Sequence, residues 1–337
     1  MKVLVVGAGY WGPNVVRNLV NFSEVESIGI SDLDRNKSKA LAAKYPRTHV
    51  ALSAPEAFSD GYDAAVIVTP VNSHASLASA ALDAGLHVLI EKPITRTVEE
   101  ARMLVAKAEA LDKRLMVGHV FHFKPEVRAL VELVESGRLG NVRYIDSVRV
   151  NLGVFRPDVN VMWDLAPHDL TIFEAILKKM PKRVSAIGAS HVPHPTSPQE
   201  TMVYLTLDYG EGCLGHVHVN WYSPLKQRLM VVAGDKKMAV YDDINTGEPI
   251  RVYDRGTYDP TADTPAYPTL RSGDTFIPHI KQEEPLQVQL REFFASIKEH
   301  RAPVTDGKAG LRVVQVLETA MESLKQGGLF VDVPFQQ

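Results

Sequence analysis

The sequence predicts an α/β chain with an N-terminal Rossmann-type, doubly wound parallel sheet, followed by an α+β domain with an open, mostly antiparallel sheet. Two observations predict this division. Over the first 118 residues, short aliphatic runs alternate with helical patterns, as in the βα units of parallel sheets. After residue 118, several strand-like runs follow one another without helices between them, which favours antiparallel pairing. We therefore expect one domain over residues 1–118 and a second over residues 119–337.

The first strand leads into a turn with a phosphate-binding pattern. Residues 2–6 form a β-branched and aliphatic run, and three glycines with the spacing G-x-G-x-x-G follow it directly. In such a turn the first glycine permits a sharp bend, the second lets the backbone approach a pyrophosphate, and the third lets the helix pack closely on the strand. The predicted cofactor contacts of this turn are Gly7, Gly9, Tyr10, Trp11 and Gly12.

A second strand-like run, residues 25–32, ends in an acid. Asp32 lies 20 residues after Gly12, the spacing at which a carboxylate accepts hydrogen bonds from the adenosine ribose hydroxyls. The same charge would repel a 2′-phosphate, so the pattern favours NAD over NADP. Arg35 leaves the NADP alternative open, since a nearby cation would hold that phosphate. The other alternative is an ordinary αβ unit with glycines at helix ends.

The rest of the first domain continues the alternation. Helical patterns cover residues 13–22, 36–45, 76–84 and 97–111, and strand patterns cover 62–68, 87–91 and 114–118. Ligands of doubly wound sheets lie beyond the carboxyl ends of the strands. The candidates that follow from position alone are Thr69, Pro70, Asn72, His74, Glu91, Lys92 and His119.

The second domain is predicted from a mixed pattern. Helices are expected over 125–136, from about 167 to 178, 286–300 and 306–325. Strands are expected over 142–151, 183–192, 200–208, 213–222, 228–234, 237–241 and 329–333. Residues 254–286, rich in Pro, Asp, Thr and Tyr, are interpreted as a long irregular excursion. His216 and His218 share one face of their strand while Val217 and Val219 share the other, so one face packs and one is free for a partner or substrate.

Composition excludes several classes of protein. With 37 basic and 40 acidic residues among 337, the formal net charge is −3, so no global basic field is available for nucleic acid or an anionic membrane. Cys213 is the one cysteine, which excludes an internal disulfide and fits a reducing cytoplasm, the location we expect. No apolar stretch approaches the roughly 18 residues that a membrane span needs.

Glu91, Lys92 and Pro93 form a charged turn at a strand exit. The ammonium of Lys92 would hydrogen-bond a substrate hydroxyl and stabilise alkoxide-like charge as hydride leaves the carbon. Pro93 would fix the backbone there, with a cis peptide bond as one way of doing so. The alternative is that these charges are only the polar rim of the sheet.

Asp164 and His168 have the i, i+4 spacing of neighbours on a helix. His168 suits a general base, because its unperturbed pKa is about 6.5, and Asp164 would orient it or help bind hydroxyls. In the alternative, Asp164 caps the helix, Pro167 is an early helical residue and His168 covers the first turn.

Two histidine pairs raise the question of a metal. His119 and His122 flank Phe121, and His216 and His218 share a strand face. Neither pair has a third carboxylate or thiolate ligand at a recognisable spacing, so no metal is predicted.

Taken together, these motifs resemble the Gfo/Idh/MocA oxidoreductases. The matching pieces are the glycine turn, Asp32, Glu91-Lys-Pro93, Gly118-His-Val-Phe-His-Phe-Lys-Pro125 and Asp164-x-x-x-His168. The resemblance implies NAD-dependent oxidation or reduction of a secondary alcohol on a sugar or cyclitol, and an open sheet that forms a dimer or tetramer interface. It also implies a catalytic trio of Lys92, Asp164 and His168, and a nicotinamide side lined by Thr69, Asn72, His74, Glu91 and Lys92.

Within that family, the segment around Asp164 resembles the members that act on nucleotide-linked sugars, the UDP-N-acetylglucosamine and UDP-N-acetylglucosaminuronate 3-dehydrogenases. The expected substrate contacts are Lys92, Lys124, Arg156, Asn160, Asp164 and His168, with Arg149 and Arg228 as further basic candidates. A dehydrogenase of free sugars or inositols is the alternative within enzymes. A non-catalytic NAD-binding sensor is the alternative of another class.

Overall fold

The computed structural model describes residues 1–153, 155–156, 158–192, 199–258 and 269–334. These residues divide into two compact units. The first comprises Met1–Phe123 and Glu283–Gln315, and the second comprises Lys124–Gln282 and Val316–Gln337. No helix among the described residues is long and apolar enough to cross a membrane.

The first unit contains a parallel sheet whose described strands have the order β3-β2-β1-β4-β5-β6. The strands are β1 (Lys2–Val6), β2 (Ser27–Ser31), β3 (Thr48–Val50), β4 (Ala64–Ile67), β5 (His87–Glu91) and β6 (Leu115–Gly118). The helices between them are α1 (Gly12–Leu19), α2 (Arg35–Ala42), α3 (Ala54–Ala57), α4 (His74–Asp83) and α5 (Val98–Ala110). The doubly wound sheet predicted for this half is confirmed. Its order reverses direction between β1 and β4, the position at which such sheets bind ligands.

A segment distant in sequence completes the first unit. Helix α8 (Pro285–Lys298) buries Leu290 and Phe293 completely in a cluster that also contains Val15 and Leu19 of α1. Apolar burial of this kind is the main stabilising term in folding, so residues 283–315 return to the N-terminal unit. The predicted division at residue 118 treats the chain as two consecutive segments, whereas the compact units interleave.

The second unit contains a sheet with the described order β14-β13-β12-β11-β7-β10-β9-β8-β15. Its strands are β7 (Val142–Leu152), β8 (Arg183–Ala189), β9 (Met202–Asp208), β10 (Leu214–Asn220), β11 (Tyr222–Gly234), β12 (Met238–Asp242), β13 (Ile250–Tyr258), β14 (Thr269–Phe276) and β15 (Val331–Asp332). Helices α6 (Pro125–Glu135) and α7 (Val161–Leu177) belong to this unit, and α9 (Gly307–Lys325) runs from the first unit into the second. Strands β7 and β10 pair in parallel and the other described pairs are antiparallel, which confirms the open, mostly antiparallel sheet.

Two sequence predictions for this unit are wrong. The irregular excursion over residues 254–286 contains most of β13 and all of β14, which pair with each other, while residues 259–268 lie outside the described part. Ile250 and Val252 are 0% and 3% exposed. Burial of alternate residues is the pattern of a β-strand with one face on the core, and it stabilises β13 although the residues next to them in the strand are polar or aromatic. Helix α7 begins at Val161 and not near Pro167, for a reason given below.

Candidate active site

The glycine turn has the geometry that a dinucleotide requires. Gly7 has a φ of +109°, and a Cβ on Gly12 would lie 2.2 Å from the carbonyl oxygen of Gly7, so neither position tolerates a side chain. A Cβ on Gly9, in contrast, would meet no atom within 4 Å. Trp11, the N-cap of α1, makes no capping hydrogen bond through its side chain. The turn therefore offers open space and a helix N-terminus to a phosphate group.

Asp32 is fixed beside this turn by the backbone. Its Oδ2 accepts a hydrogen bond of 2.7 Å from the amide of Ala8, and its Oδ1 accepts one of 2.8 Å from the amide of Asp34. Each carboxylate oxygen retains a lone pair for a further donor such as a ribose hydroxyl. The side chain of Leu33 next to it is fully exposed, and Tyr10 of the glycine turn is 92% exposed. Sequence reasoning did not single out Leu33, whose signal is an isolated leucine in an otherwise polar turn.

The exits of β4 and β5 carry the next predicted residues. The Thr69 hydroxyl accepts a hydrogen bond of 2.7 Å from Ser73, while Pro70 and Asn72 are exposed. Lys92 is half-buried, and the Lys92–Pro93 peptide bond is cis.

Glu91 packs its carboxylate against β6. A Cβ on Gly118 would lie 2.8 Å from Glu91 Oε1, and Glu91 Oε2 accepts a 3.1 Å hydrogen bond from the Lys92 amide. Burial of the carboxylate raises the pKa of Glu91 to about 7, against the opposing effects of the Lys92 charge and amide. Glu91 thus titrates near neutrality beside a charged lysine.

His74 is only 1% exposed and contacts backbone on both sides. Its Nδ1 lies 2.9 Å from the carbonyl oxygen of Pro93, and its Nε2 lies 2.8 Å from that of Thr69. Both ring nitrogens are therefore occupied by the protein, although the resemblance implied a position beside nicotinamide.

His119 has the opposite character. It is 1% exposed, and neither ring nitrogen has a hydrogen-bond partner among the described residues. Burial, with smaller contributions from His122 and Lys92, lowers the pKa of His119 to about 3, so the ring is neutral at physiological pH. A buried polar ring without a partner is costly, and a polar group of a bound ligand would satisfy it. This feature and the glycine turn both fit a nicotinamide dinucleotide.

In the second unit, Asn160 determines where α7 begins. Its side-chain oxygen accepts a 3.0 Å hydrogen bond from the amide of Trp163, and its amide group donates to Glu200 at 2.8 Å. Asn160 is buried and serves as the N-cap, so its contacts support a structural role and not the predicted substrate contact. The alternative in which Asp164 caps the helix is wrong, because Asp164 lies inside the first turn.

Asp164 and His168 lie one turn apart on the half-buried face of α7. The indole N–H of Trp221 donates to Asp164 Oδ2 at 3.2 Å, and Arg156 Nη1 lies 4.0 Å from Oδ1. Trp221 is buried, so it fixes the carboxylate from the sheet side. The pair is suited to binding a hydroxyl and accepting its proton.

The predicted basic contacts are mostly engaged within the protein. Arg149 makes two hydrogen bonds of 2.9 Å to Asp169, and both side chains are buried. Lys124 and Arg228 both pair with Asp243. Burial works against ionisation of Asp243, but the hydrogen bond and charge of Lys124 lower its pKa. Arg149 thus anchors α7 to β7 and is not a substrate contact, whereas Arg156 has a side-chain exposure of 47%.

Two family models match the chain. Residues 1–119 match the model of an oxidoreductase family with an NAD-binding Rossmann fold, and residues 127–240 match the GFO/IDH/MocA C-terminal domain.

Individual relatives cover nearly the whole chain. UDP-N-acetylglucosamine 3-dehydrogenase of Acidithiobacillus ferrooxidans is 26% identical over 93% of this chain and 94% of its own length. A solved structure of that enzyme has a TM-score of 0.81 at 24% identity, over 97% of this chain and 98% of the other. The scyllo-inositol 2-dehydrogenase (NADP(+)) of Bacillus subtilis is 26% identical over 97% of this chain and 94% of its own length. GenD2 from gentamicin A biosynthesis, solved in complex with NAD, has a TM-score of 0.82 at 22% identity, over 99% of this chain and 97% of the other.

Proposed function

The chain belongs to the Gfo/Idh/MocA family of oxidoreductases, and from this premise we propose that it oxidises a secondary ring hydroxyl of a nucleotide-linked sugar, at C3 of a UDP-N-acetylhexosamine or its uronate. The observation that carries the proposal is the Asp164–His168 pair on one face of α7, with Asp164 held by Trp221. Such a pair, in a chain with an NAD-binding domain, suits removal of a hydroxyl proton.

The chemistry divides among three side chains. Bound NAD⁺ supplies the acceptor for the hydride. His168 takes the hydroxyl proton, and Asp164 holds the hydroxyl or the imidazole in orientation. The Lys92 ammonium donates to the same oxygen and stabilises the negative charge that develops on it. That Lys92 and His168 serve one hydroxyl is part of the proposal.

The cofactor form follows from Asp32. Its carboxylate is held by the amides of Ala8 and Asp34, so it does not swing aside for a 2′-phosphate. Arg35, at the start of α2, is exposed three residues further along. We infer a preference for NAD, with Leu33 as an apolar contact for the adenine ring.

The substrate class rests on the relative from Acidithiobacillus ferrooxidans, whose match extends over 94% of its length. The inositol dehydrogenase of Bacillus subtilis supports the alternative of a free cyclitol. Lys124, Arg149 and Arg228 pair with the buried Asp169 and Asp243. Arg156 also has an acidic partner, Asp158 at 3.3 Å, but its side chain is 47% exposed, and we assign it to the substrate's phosphates.

We further infer a homo-oligomer built on the open face of the second sheet. Register places five residues side by side across β8, β9, β10, β7 and β11, and these are Ile187, Tyr204, His218, Val148 and Leu229. Ile187 is 60% exposed and Tyr204 is 40% exposed. Four of these five side chains are apolar or aromatic, His218 being the exception, and a mostly apolar row on an exposed sheet face is typical of an interaction surface.

The proposal is tested across a panel of UDP- and dTDP-sugars, free hexoses and inositols at fixed NAD⁺. Without 2-oxoglutarate the signal is NADH absorbance; with 2-oxoglutarate, which takes the hydride from a cofactor that stays bound, the signal is formation of 2-hydroxyglutarate. We expect a signal with a UDP-N-acetylhexosamine or its uronate. A signal only with free polyols supports the inositol alternative. Silence throughout, from protein that binds NAD⁺, contradicts the proposal and favours the sensor.

A further inference from the structure

His74 lies where two strand exits meet. It is the first residue of α4, directly after the turn that follows β4. Strands β4 and β5 are parallel neighbours, so their carboxyl ends lie at the same edge of the sheet. The ring lies between the backbone that leaves β4 and the backbone that leaves β5.

Both ring nitrogens face carbonyl oxygens, at 2.8 Å for Thr69 and 2.9 Å for Pro93. These distances are those of good hydrogen bonds. Since both ring nitrogens already face backbone carbonyl groups, the ring has no hydrogen-bonding atom left for a bound cofactor.

The protonation state limits how these contacts form. Burial lowers the pKa of His74, with the nearby charge of Lys92 acting in the same direction, while hydrogen bonds to the Thr69, Pro93 and Ile94 backbone oppose the shift. A neutral imidazole carries one N–H, so at neutral pH a single proton serves the two carbonyl groups. The contact joins the two turns when the proton is on Nδ1 and is donated to the Pro93 carbonyl, because His74 itself belongs to the segment that leaves β4.

We propose that His74 is a positioning residue for Lys92 and not a cofactor contact, because its ring ties the Pro93 carbonyl to the exit of β4. The other side of the lysine is fixed by the 3.1 Å hydrogen bond from the Lys92 amide to Glu91. The backbone of Lys92 is thus held on both sides, which limits where its long side chain delivers the ammonium. This inference rests on the proposed catalytic role of Lys92.

The test replaces His74 with Phe, which keeps a ring but removes the donor, and with Asn, whose side-chain amide keeps the ability to donate a hydrogen bond. Labelling of lysine amines by acetic anhydride, read by peptide mass spectrometry, reports on Lys92 without a substrate, and Lys325 serves as the internal control. Tryptophan fluorescence gives the Kd for NAD⁺. Ser76→Ala is the matched control, because Ser76 lies on the same helix and its hydroxyl donates to the carbonyl oxygen of Ser73, three residues earlier.

His74→Phe is expected to speed labelling of Lys92 by at least about threefold and to lower kcat roughly 10- to 100-fold. The Kd for NAD⁺ should stay within about twofold of the wild-type value. His74→Asn should partly reverse both the faster labelling of Lys92 and the decrease in kcat. The combination of His74→Phe with Lys92→Ala should be no slower than Lys92→Ala alone, since the two act as a unit. Unchanged labelling, or a Kd for NAD⁺ that rises as far as kcat falls, overturns the inference. If Lys92→Ala keeps full turnover while His74→Phe still speeds labelling of Lys92, then His74 positions Lys92 as inferred, but the proposed catalytic role of Lys92 is wrong.

Discussion

At the scale of single residues, the proposed role of Asp32 in the choice between NAD⁺ and NADP⁺ gives the first prediction. In Asp32→Asn the charge is removed, while one oxygen remains to accept from the Ala8 or Asp34 amide. We expect the ratio of NADP⁺ to NAD⁺ dissociation constants to fall at least about tenfold, since a hydrogen bond to a charged group contributes roughly 1.5–3 kcal/mol. Fluorescence titration with both cofactors measures the ratio, which is insensitive to a general loosening of the turn. Asp34→Asn, which keeps a capping side chain on α2, should leave the ratio unchanged.

Glu91 is expected to make stability depend on pH. Its pKa is raised to about 7 in the folded protein from an ordinary 4.5, so the folded state binds more protons between those values. Stability should therefore fall as pH rises from about 5 to 8, by on the order of 3 kcal/mol from this group. Urea unfolding of the wild type and of Glu91→Gln across this range isolates the contribution. If the free energy of unfolding depends on pH in the same way in both proteins, the assignment of this pH dependence to Glu91 is contradicted.

At the scale of elements, the start of α7 contains a capping residue, Asn160, and a proposed catalytic residue, Asp164. Asn160→Ala removes the helix cap and should lower the free energy of unfolding by about 1 kcal/mol. Asp164→Asn should change stability by less than about 0.5 kcal/mol, yet lower kcat at least about tenfold, because Asp164 acts on the hydroxyl or on His168. Urea unfolding and turnover on the same preparations measure both effects. If both variants lower the free energy of unfolding equally, Asp164 has a structural role in the first turn like that of Asn160.

The same helix shows where sequence reasoning succeeds and where it stops. The i, i+4 spacing of Asp164 and His168 and the glycine turn are local patterns, and the structure has both on the elements that the spacing indicates. A proline favours the first turn of a helix, so the sequence predicts a start near Pro167, whereas α7 begins after the Asn160 cap and contains Pro167 in its interior. The ion pair between Arg149 and Asp169 joins β7 to α7, and no local sequence pattern indicates it.

At the scale of the whole molecule, the return of residues 283–315 to the first unit is the least predictable feature. The helix α8 pattern was evident, but its partners Val15 and Leu19 lie more than 260 residues earlier. The contacts of His74 with Thr69 and Pro93 are hidden for the same reason, since they depend on which strands are neighbours. Sequence therefore indicated the fold class and the candidate residues, and the structure shows which of those candidates have hydrogen-bond or ion-pair partners within the protein.

The proposed assembly gives a second prediction at this scale. Tyr204→Asp places a charge in the exposed apolar row of the second sheet and should shift the protein to a smaller species, because burying an unpaired charge in an interface is strongly unfavourable. Light scattering after size-exclusion chromatography measures the mass. Leu111→Asp, at a 42% exposed leucine of the first unit, is the control and should leave the mass unchanged. A wild-type protein of 37.2 kDa in solution would contradict the inference.

The central claim is that Lys92 and His168 act on one hydroxyl. The most direct measurement is the single-turnover rate of NADH formation for Lys92→Ala, His168→Ala and the double variant, with Lys325→Ala and His300→Asn as controls at exposed positions. The account predicts that each single variant loses at least about 100-fold, that the double variant is scarcely slower than the slower single one, and that the controls match the wild type. A rate within about threefold of wild type for either single variant would contradict it.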